Sequence, residues 1–97
     1  MSTLHVLSHS PFGDDRLSSC LRLLGSADAV LLSGDAVYAL QPGTVAFSAL
    51  QERTIKLFVL IEDAQARAIE IPDWAEAIDY PGFVELSIRH AKVNSWL

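Results

Sequence analysis

Residues 4–25, LHVLSHSPFGDDRLSSCLRLLG, form the stretch that decides the fold. Its first four residues read as a short apolar strand, which the turn-forming run Ser8–Pro11 ends. Asp14 or Asp15 can cap a following helix, because a short carboxylate accepts hydrogen bonds from the free N–H groups of a first helical turn. The stretch therefore predicts a strand, a turn and a helix, with Gly25 as a left-handed helix cap.

The apolar residues of this helix are spaced at i, i+3, i+4 and i+7, which places them on one face. They are Leu17, Cys20, Leu21 and Leu24. Cys20 is the only cysteine of the chain, so an internal disulfide is excluded. Because Cys20 lies on this face and beyond the first turn, we expect low exposure and little thiolate at neutral pH. Arg16, four residues earlier on the same face, is the cation that would favour a partly exposed, reactive sulfur.

The rest of the chain alternates between strands and helices. Further strands are predicted at 28–32, 55–61, 76–79 and 93–97, and helical segments at 36–39, 44–53, 64–69 and 83–90. The run 55–61, IKLFVLI, suits a central strand covered on both faces, because its apolar residues do not alternate with polar ones. In the helix 44–53, Val45 and Ala49 are predicted to face inward, with Phe47 and Leu50 as further candidates. The alternation predicts one domain over residues 1–97, an α/β three-layer sandwich around a mainly parallel sheet of about five strands.

Composition restricts the classes of function. Hydrophobic residues make up 51% of the chain, which is high for a small isolated domain, so we expect association with other subunits. Trp96 and Leu97 in the last strand, near a sheet edge, favour a covered surface too. A net charge of −5 without a Lys/Arg cluster opposes direct binding to nucleic acid. No apolar run reaches the roughly 18–20 residues of a membrane helix, and no signal-type segment opens the chain, so a cytoplasmic location is expected.

Two segments occupy positions where ligands or catalytic groups often lie. The loop Ser8–Asp15 follows the first strand, but it has neither a dinucleotide fingerprint nor a lysine-bearing phosphate loop. Glu62 and Asp63 follow an apolar strand and could form a general acid–base pair. Capping of the next helix by a strand-end carboxylate is the simpler explanation for them. No cofactor is expected from these segments.

The histidines do not predict a metal site. His5 and His9 are four residues apart, and an extended chain separates them by roughly 13 Å at about 3.3 Å per residue. They cannot bind one metal ion unless the chain turns sharply. His90 ends a predicted helix, where an imidazole interacts favourably with the negative end of the helix dipole.

Segments along the whole chain share their order and spacing with one known family. They are TLHVL (3–7), SPF (10–12), AVLL (29–32), GDAVYA (34–39), LIED (60–63), AR (66–67), IDY (78–80), FVEL (83–86) and SW (95–96). The ordered set resembles the TusB/DsrH family, which comprises small subunits of bacterial sulfur-relay complexes.

The resemblance implies a DsrE-type α/β fold and a place in a heterohexamer with TusC-like and TusD-like sister subunits, two copies of each. Such a complex receives persulfide sulfur from an upstream carrier and passes it to a downstream acceptor, towards 2-thiolation of the tRNA wobble uridine. The working cysteine of that relay belongs to the TusD-like subunit. This chain would then be a structural component of a sulfurtransferase complex, without isolated activity and without direct contact to tRNA.

The same resemblance leaves an alternative. DsrH-like relatives from sulfur-oxidising bacteria carry a cysteine in the first helix, and Cys20 matches it. The chain would then be a sulfurtransferase subunit that carries persulfide on Cys20, the one candidate catalytic residue. Exposure of the Cys20 side chain separates the two hypotheses, because full burial favours the structural role. A stand-alone homodimeric ligand-binding domain is a third possibility, which the missing phosphate loop opposes.

Overall fold

A computed structural model describes residues 2–96. The strands are β1 (Thr3–Leu7), β2 (Ala29–Leu32), β3 (Lys56–Leu60), β4 (Glu76–Ile78) and β5 (Lys92–Trp96). The helices are α1 (Arg16–Leu23), α2 (Val45–Gln51), α3 (Ile61–Ala66) and α4 (Tyr80–Arg89), and a 3-10 helix spans Gly34–Leu40. Leu97, at which the last strand is predicted to end, lies outside the described residues.

The five strands form one sheet in the order β4-β3-β2-β1-β5, and all neighbours are parallel. The chain adds β2, β3 and β4 on one side of β1 and then returns to place β5 on the other side. Because crossovers between parallel strands are right-handed, the three connections in one direction put their helices on one face, and the return puts α4 on the other. The predicted α/β three-layer sandwich with a parallel sheet is confirmed.

Each face of the sheet carries its own apolar core. Strand residues that face α1, α2, α3 and the 3-10 helix are Leu7, Val30, Leu32, Leu57 and Val59. Strand residues that face α4 are Leu4, Ala29, Leu31, Leu60 and Ile78, and they pack with Leu86 of α4. All four residues of β2 are fully buried, which identifies β2 as the middle strand.

The run predicted as a central strand is β3, an inner strand that pairs with β2 and β4 and contributes to both cores, while β2 is the middle strand of the sheet. The first residue of β3, Lys56, is exposed, and Phe58 is half-buried. The exposure of Lys56 agrees with the strand register. Strand β4 has three residues and begins opposite Phe58, so no residue of β4 pairs with Lys56.

The inward prediction for Val45 is wrong, since 88% of this residue is exposed. The Thr44 hydroxyl accepts a hydrogen bond from the Phe47 N–H, which fixes the start of α2 at Val45. Leu50 is buried, and it lies about 140° around the helix from Val45 at about 3.6 residues per turn. When Leu50 faces the core, Val45 therefore faces solvent, while Ala49 is half-buried as predicted.

The end of α1 also differs from the prediction. Leu24 leaves the helix in an extended conformation with φ −66° and ψ 128°. Gly25 does not belong to the described residues with positive φ, so it is not a left-handed cap. Its N–H instead donates to the Asp28 carboxylate at 2.9 Å, which fixes the turn between α1 and β2.

Helix α4 begins at Tyr80, three residues before the predicted start. Asp79 is the capping residue, and its carboxylate accepts a hydrogen bond from the Gly82 N–H at 2.9 Å. Pro81 lies in the first turn, where the missing N–H removes no intrahelical hydrogen bond. The Pro-Gly pair therefore belongs to the helix and does not precede it.

Candidate functional site

Cys20 lies on the buried face of α1, as its helical phase predicts. Its side chain is fully buried among the apolar residues between α1 and the sheet, which include Leu7, Leu17 and Val30. Burial, and secondly the negative charge of Asp28, raise the pKa of the Cys20 thiol to about 11. At neutral pH the sulfur is therefore protonated and out of reach of another protein.

Arg16 holds the first turn of α1. Its guanidinium forms an ion pair with Asp14, and its backbone N–H donates to the same carboxylate at 2.8 Å. Of the two predicted capping residues, Asp14 and Asp15, Asp14 is the one that caps α1, because Asp15 makes no side-chain cap hydrogen bond. The charge that acts on the Cys20 thiol is that of Asp28, which disfavours the thiolate.

Three side chains form a hydrogen-bonded chain from β1 to the start of β2 and to β5. Trp96 Nε1–H donates to His5 Nδ1 at 3.1 Å, and His5 Nε2 lies 3.4 Å from Asp28 Oδ2. Because an indole nitrogen can only donate, His5 Nδ1 is the acceptor and Nε2 carries the proton directed at Asp28. His5 is thus a neutral imidazole, and it is buried, with 6% of its surface exposed.

Asp28 connects this chain to the backbone. Its Oδ1 accepts from the Thr3 N–H at 3.0 Å, and its Oδ2 accepts from the Gly25 N–H at 2.9 Å. The Gly25 hydrogen bond is the largest of the effects that lower the pKa of the Asp28 carboxyl below its ordinary value; those from Thr3 and His5 add to it, and partial burial opposes it. Asp28 is therefore negatively charged at neutral pH and joins the start of β1 to the end of α1.

Local sequence patterns did not reveal this network. His5 is 23 residues from Asp28 and 91 residues from Trp96, so their proximity depends on the order and register of parallel strands. The signal that the sequence did contain is a polar residue, His5, at an inward position of an apolar strand. Such a side chain needs hydrogen-bond partners when it is buried.

The other two histidines of the chain belong to different parts of the fold. His9 is exposed in the loop after β1, and His90 caps α4, with its Nδ1 2.8 Å from the Leu86 carbonyl oxygen. Within residues 2–96, no three His, Cys, Asp or Glu side chains are placed to hold a metal ion.

Asp63 supports the backbone beside the carboxyl end of β2. Its Oδ2 accepts a hydrogen bond from the Gly34 N–H at 2.7 Å. Gly34 has φ +50°, and a Cβ there would lie 3.2 Å from the Ser8 carbonyl oxygen, so the position favours glycine. Glu62, in the same first turn of α3, is exposed. The two carboxylates thus occupy different environments, and Asp63 holds a turn.

Helix α4 is apolar on two opposite sides. Leu86 is buried against the sheet, whereas Tyr80, Val84 and Ile88 recur every four residues on the outer side. Their exposed fractions are 54%, 54% and 76%. We call these three residues the α4 outer stripe. On the same side of the sheet, Val93 of the edge strand β5 is 45% exposed.

Several grooves open on the surface of residues 2–96, and two of them flank α4 and α1. One, of about 650 Å³, lies beside the end of α4 and is lined by residues that include Lys56, Trp74, Glu76 and Arg89. The other, of about 390 Å³, runs between α1 and α2 and is lined mainly by apolar side chains, with Phe12 and Val45 among them.

Comparison with known proteins places this chain among relatives along nearly its whole length. The sequence model of a family described as DsrH like protein matches residues 9–93. The chain belongs to the DsrH-like family. Protein TusB of Erwinia tasmaniensis is 40% identical over 95 residues, which cover 96% of this chain and 99% of the relative. The TusB proteins of Yersinia enterocolitica and of an Enterobacter species are 38% and 37% identical with the same coverage. The resemblance to the TusB/DsrH family is thereby confirmed.

The fold of this DsrH-like chain also occurs in a solved structure. The ychN protein from E. coli superposes with a TM-score of 0.73 over 99% of this chain and 100% of that chain, at 19% sequence identity. This likeness supports the α/β fold. None of the helices in residues 2–96 is long and apolar enough to cross a membrane.

Proposed function

We propose that this DsrH-like chain is a structural subunit of a TusBCD-like sulfur-relay complex that passes persulfide sulfur towards 2-thiolation of the tRNA wobble uridine. Relatives named TusB, 37% to 40% identical over nearly the full length, support the relay. The full burial of Cys20 is the observation that supports a structural rather than a sulfur-carrying role.

Sulfur transfer sets chemical conditions that Cys20 does not meet. An accepting thiolate attacks the terminal sulfur of the donor persulfide, a new sulfur–sulfur bond forms, and the donor cysteine leaves as a thiolate. The attacking group must be deprotonated and accessible. The Cys20 thiol has a pKa of about 11 and no exposed surface. At neutral pH it is therefore neither deprotonated nor accessible. In this proposal the cysteine that carries sulfur belongs to a sister subunit, and the family resemblance implies the TusD-like one.

The contribution of this chain is a surface. The α4 outer stripe and Val93 expose apolar side chains on one side of the sheet, and we take this side as the area that a partner covers. We assign this area to contact with a TusC-like or TusD-like sister subunit in a cytoplasmic heterohexamer. The upstream persulfide carrier and the downstream acceptor reach the complex through its sulfur-carrying subunit. With a net charge of −5, this chain does not bind tRNA directly.

Reconstitution of the complex tests this function. The chain is co-expressed with its sister subunits, and tRNA thiolation is measured with wild-type protein, with Cys20→Ala and without the chain. We expect thiolation to be lost without the chain and to stay within about twofold of wild type with Cys20→Ala, a change worth under 0.5 kcal/mol. Loss of thiolation in Cys20→Ala, with the complex still assembled, would favour the alternative in which Cys20 carries persulfide.

A further inference from the structure

The edge strand β5 is held to the sheet from one side. It pairs with β1, and its residues 92–95 are exposed. Trp96 is its half-buried residue, and it is in contact with the core that faces α1. Its indole N–H donates to His5 Nδ1 at 3.1 Å, with the two ring centres 6.1 Å apart. The end of β5 is therefore attached through a group that can change its protonation state.

We propose that His5, Asp28 and Trp96 form a proton-operated latch on β5. Neutral His5 holds the Trp96 indole, and protonated His5 releases it. The latch acts on the edge strand and operates whether or not the chain takes part in sulfur relay.

The hydrogen-bond roles of the three side chains explain the switch. In the neutral state Nδ1 has a lone pair and accepts the indole N–H. Protonation places a second N–H on Nδ1, so that two donors face each other and the Trp96 bond is lost. The Nε2–H remains directed at Asp28, and this contact becomes an ion pair.

Asp28 holds protonated His5 in place when the Trp96 indole is released. Its carboxylate stays charged throughout the range in which an imidazole titrates, because backbone hydrogen bonds from Gly25 and Thr3 stabilise the charged form. Protonated His5 therefore keeps its place in β1 while Trp96 leaves. The contact between His5 and Asp28 is kept, and the Trp96 end of β5 loses its side-chain hydrogen bond to β1.

Among the residues that the structure describes, Asp28 is the charged side chain recorded in contact with His5. The residue opposite His5 in β2 is Val30, and the one in β5 is Asn94. Lys92 lies on the same face of β5, opposite Thr3. In α1, burial and then the charge of Asp28 raise the pKa of the Cys20 thiol to about 11, so this thiol is neutral near pH 7. Asp28 is thus the charged group that acts on His5 directly.

Nuclear magnetic resonance of the ¹⁵N-labelled chain tests the latch without any substitution. The chain contains two tryptophans, and Trp74, whose ring contacts Phe47 at 5.4 Å, is an internal control. The pH is lowered from about 8.5 to about 5.5, the range in which imidazoles titrate. We expect the Trp96 indole signal to move with the same midpoint as the His5 ring and its exchange protection to fall about tenfold, the result of a weakened hydrogen bond. The Trp74 signal stays constant. A Trp96 signal and protection that do not change while His5 titrates would overturn the latch.

Three variants sharpen the test. In His5→Gln the side chain cannot titrate, so the Trp96 signal loses its pH dependence, while His90→Gln, at the end of α4, leaves it unchanged. In Asp28→Asn the loss of the carboxylate charge moves the Trp96 transition about one pH unit lower. A Trp96 transition that persists in His5→Gln would overturn the latch. If a variant does not fold, the wild-type titration decides.

Discussion

The two faces of the sheet use the same alternating strand residues and differ in what covers them. Helices α1, α2, α3 and the 3-10 helix cover one face, and α4 alone covers the other. The thicker face encloses the only cysteine of the chain, and the thinner face ends in an exposed apolar stripe. The reactive atom thus lies where no partner reaches it, and the α4 outer stripe, which we assign to a partner, lies on the opposite side of the sheet.

This difference follows from the strand order. Three successive crossovers in one direction place their helices on one face of the sheet. The single return crossover places α4 on the other face. The helix of that return has to fill its face alone, which it does through Leu86, and its other side faces outward. An unequal distribution of helices therefore produces both the buried thiol and the exposed stripe.

Removing the anchor of α4 should have the largest effect. Leu86 is the buried residue of this helix, so we expect Leu86→Ala to lower the free energy of unfolding by about 3 kcal/mol. The exposed neighbour Val84, changed to Ala, should cost less than about 0.5 kcal/mol. Urea unfolding monitored by circular dichroism measures both. Equal losses in the two variants would mean that α4 has no distinct inner and outer side.

A charge in the α4 outer stripe should weaken assembly almost as strongly. Ile88 is 76% exposed, so Ile88→Glu leaves the isolated fold stable but places a carboxylate in the proposed contact with a sister subunit. We expect the affinity to fall about 100-fold, which is typical of a central contact residue. Val45→Glu, on the other face and 88% exposed, is the matched control and should bind normally. Titration calorimetry with the sister subunits distinguishes them, and an equal loss in both would reject the assignment of the interface.

Asp28 should contribute to stability in a pH-dependent way. Its carboxylate accepts hydrogen bonds from Thr3, Gly25 and His5, and Asp28→Asn should cost about 2 kcal/mol at pH 7, as for hydrogen bonds to a charged group. The folded pKa is lowered, so this stability is fully present above the unfolded pKa of about 3.9 and is lost as pH falls through the folded value. The difference between wild type and variant should thus shrink below about pH 4. A difference that stays constant down to about pH 3 would show that the charge is not its source.

The local features of both faces could be predicted from the sequence, but the order and register of the strands could not. The phase of Leu17, Cys20 and Leu21 predicted the buried side of α1, because helical spacing depends on residues within two turns. The longest apolar run was correctly predicted to be a strand covered on both faces, whereas the middle place of β2 depends on the order of the strands. The network of His5 and Trp96 was not found, because it requires the register of β1 against β5. Long-range order of this kind leaves no periodic signal in the sequence.

Replacement of Cys20 should be the mildest change in the core. We expect Cys20→Ala to behave as a small truncation that costs about 1 kcal/mol, with Ser18→Ala on the exposed side of α1 as a control within about 0.5 kcal/mol. Urea unfolding at neutral pH compares the two. A loss no larger than that of the control would mean that the thiol is not packed in the core.

Transfer of sulfur to Cys20 tests the central claim most directly. The assembled complex is incubated with a persulfide donor at neutral pH and trapped by alkylation. Mass spectrometry then locates the added sulfur. The same chain unfolded in urea is the positive control, since its thiol is accessible. Because the thiol is buried and its pKa is about 11, we predict added sulfur on Cys20 in the unfolded chain and none in the folded complex. Stoichiometric persulfide on Cys20 of the folded complex would contradict the account.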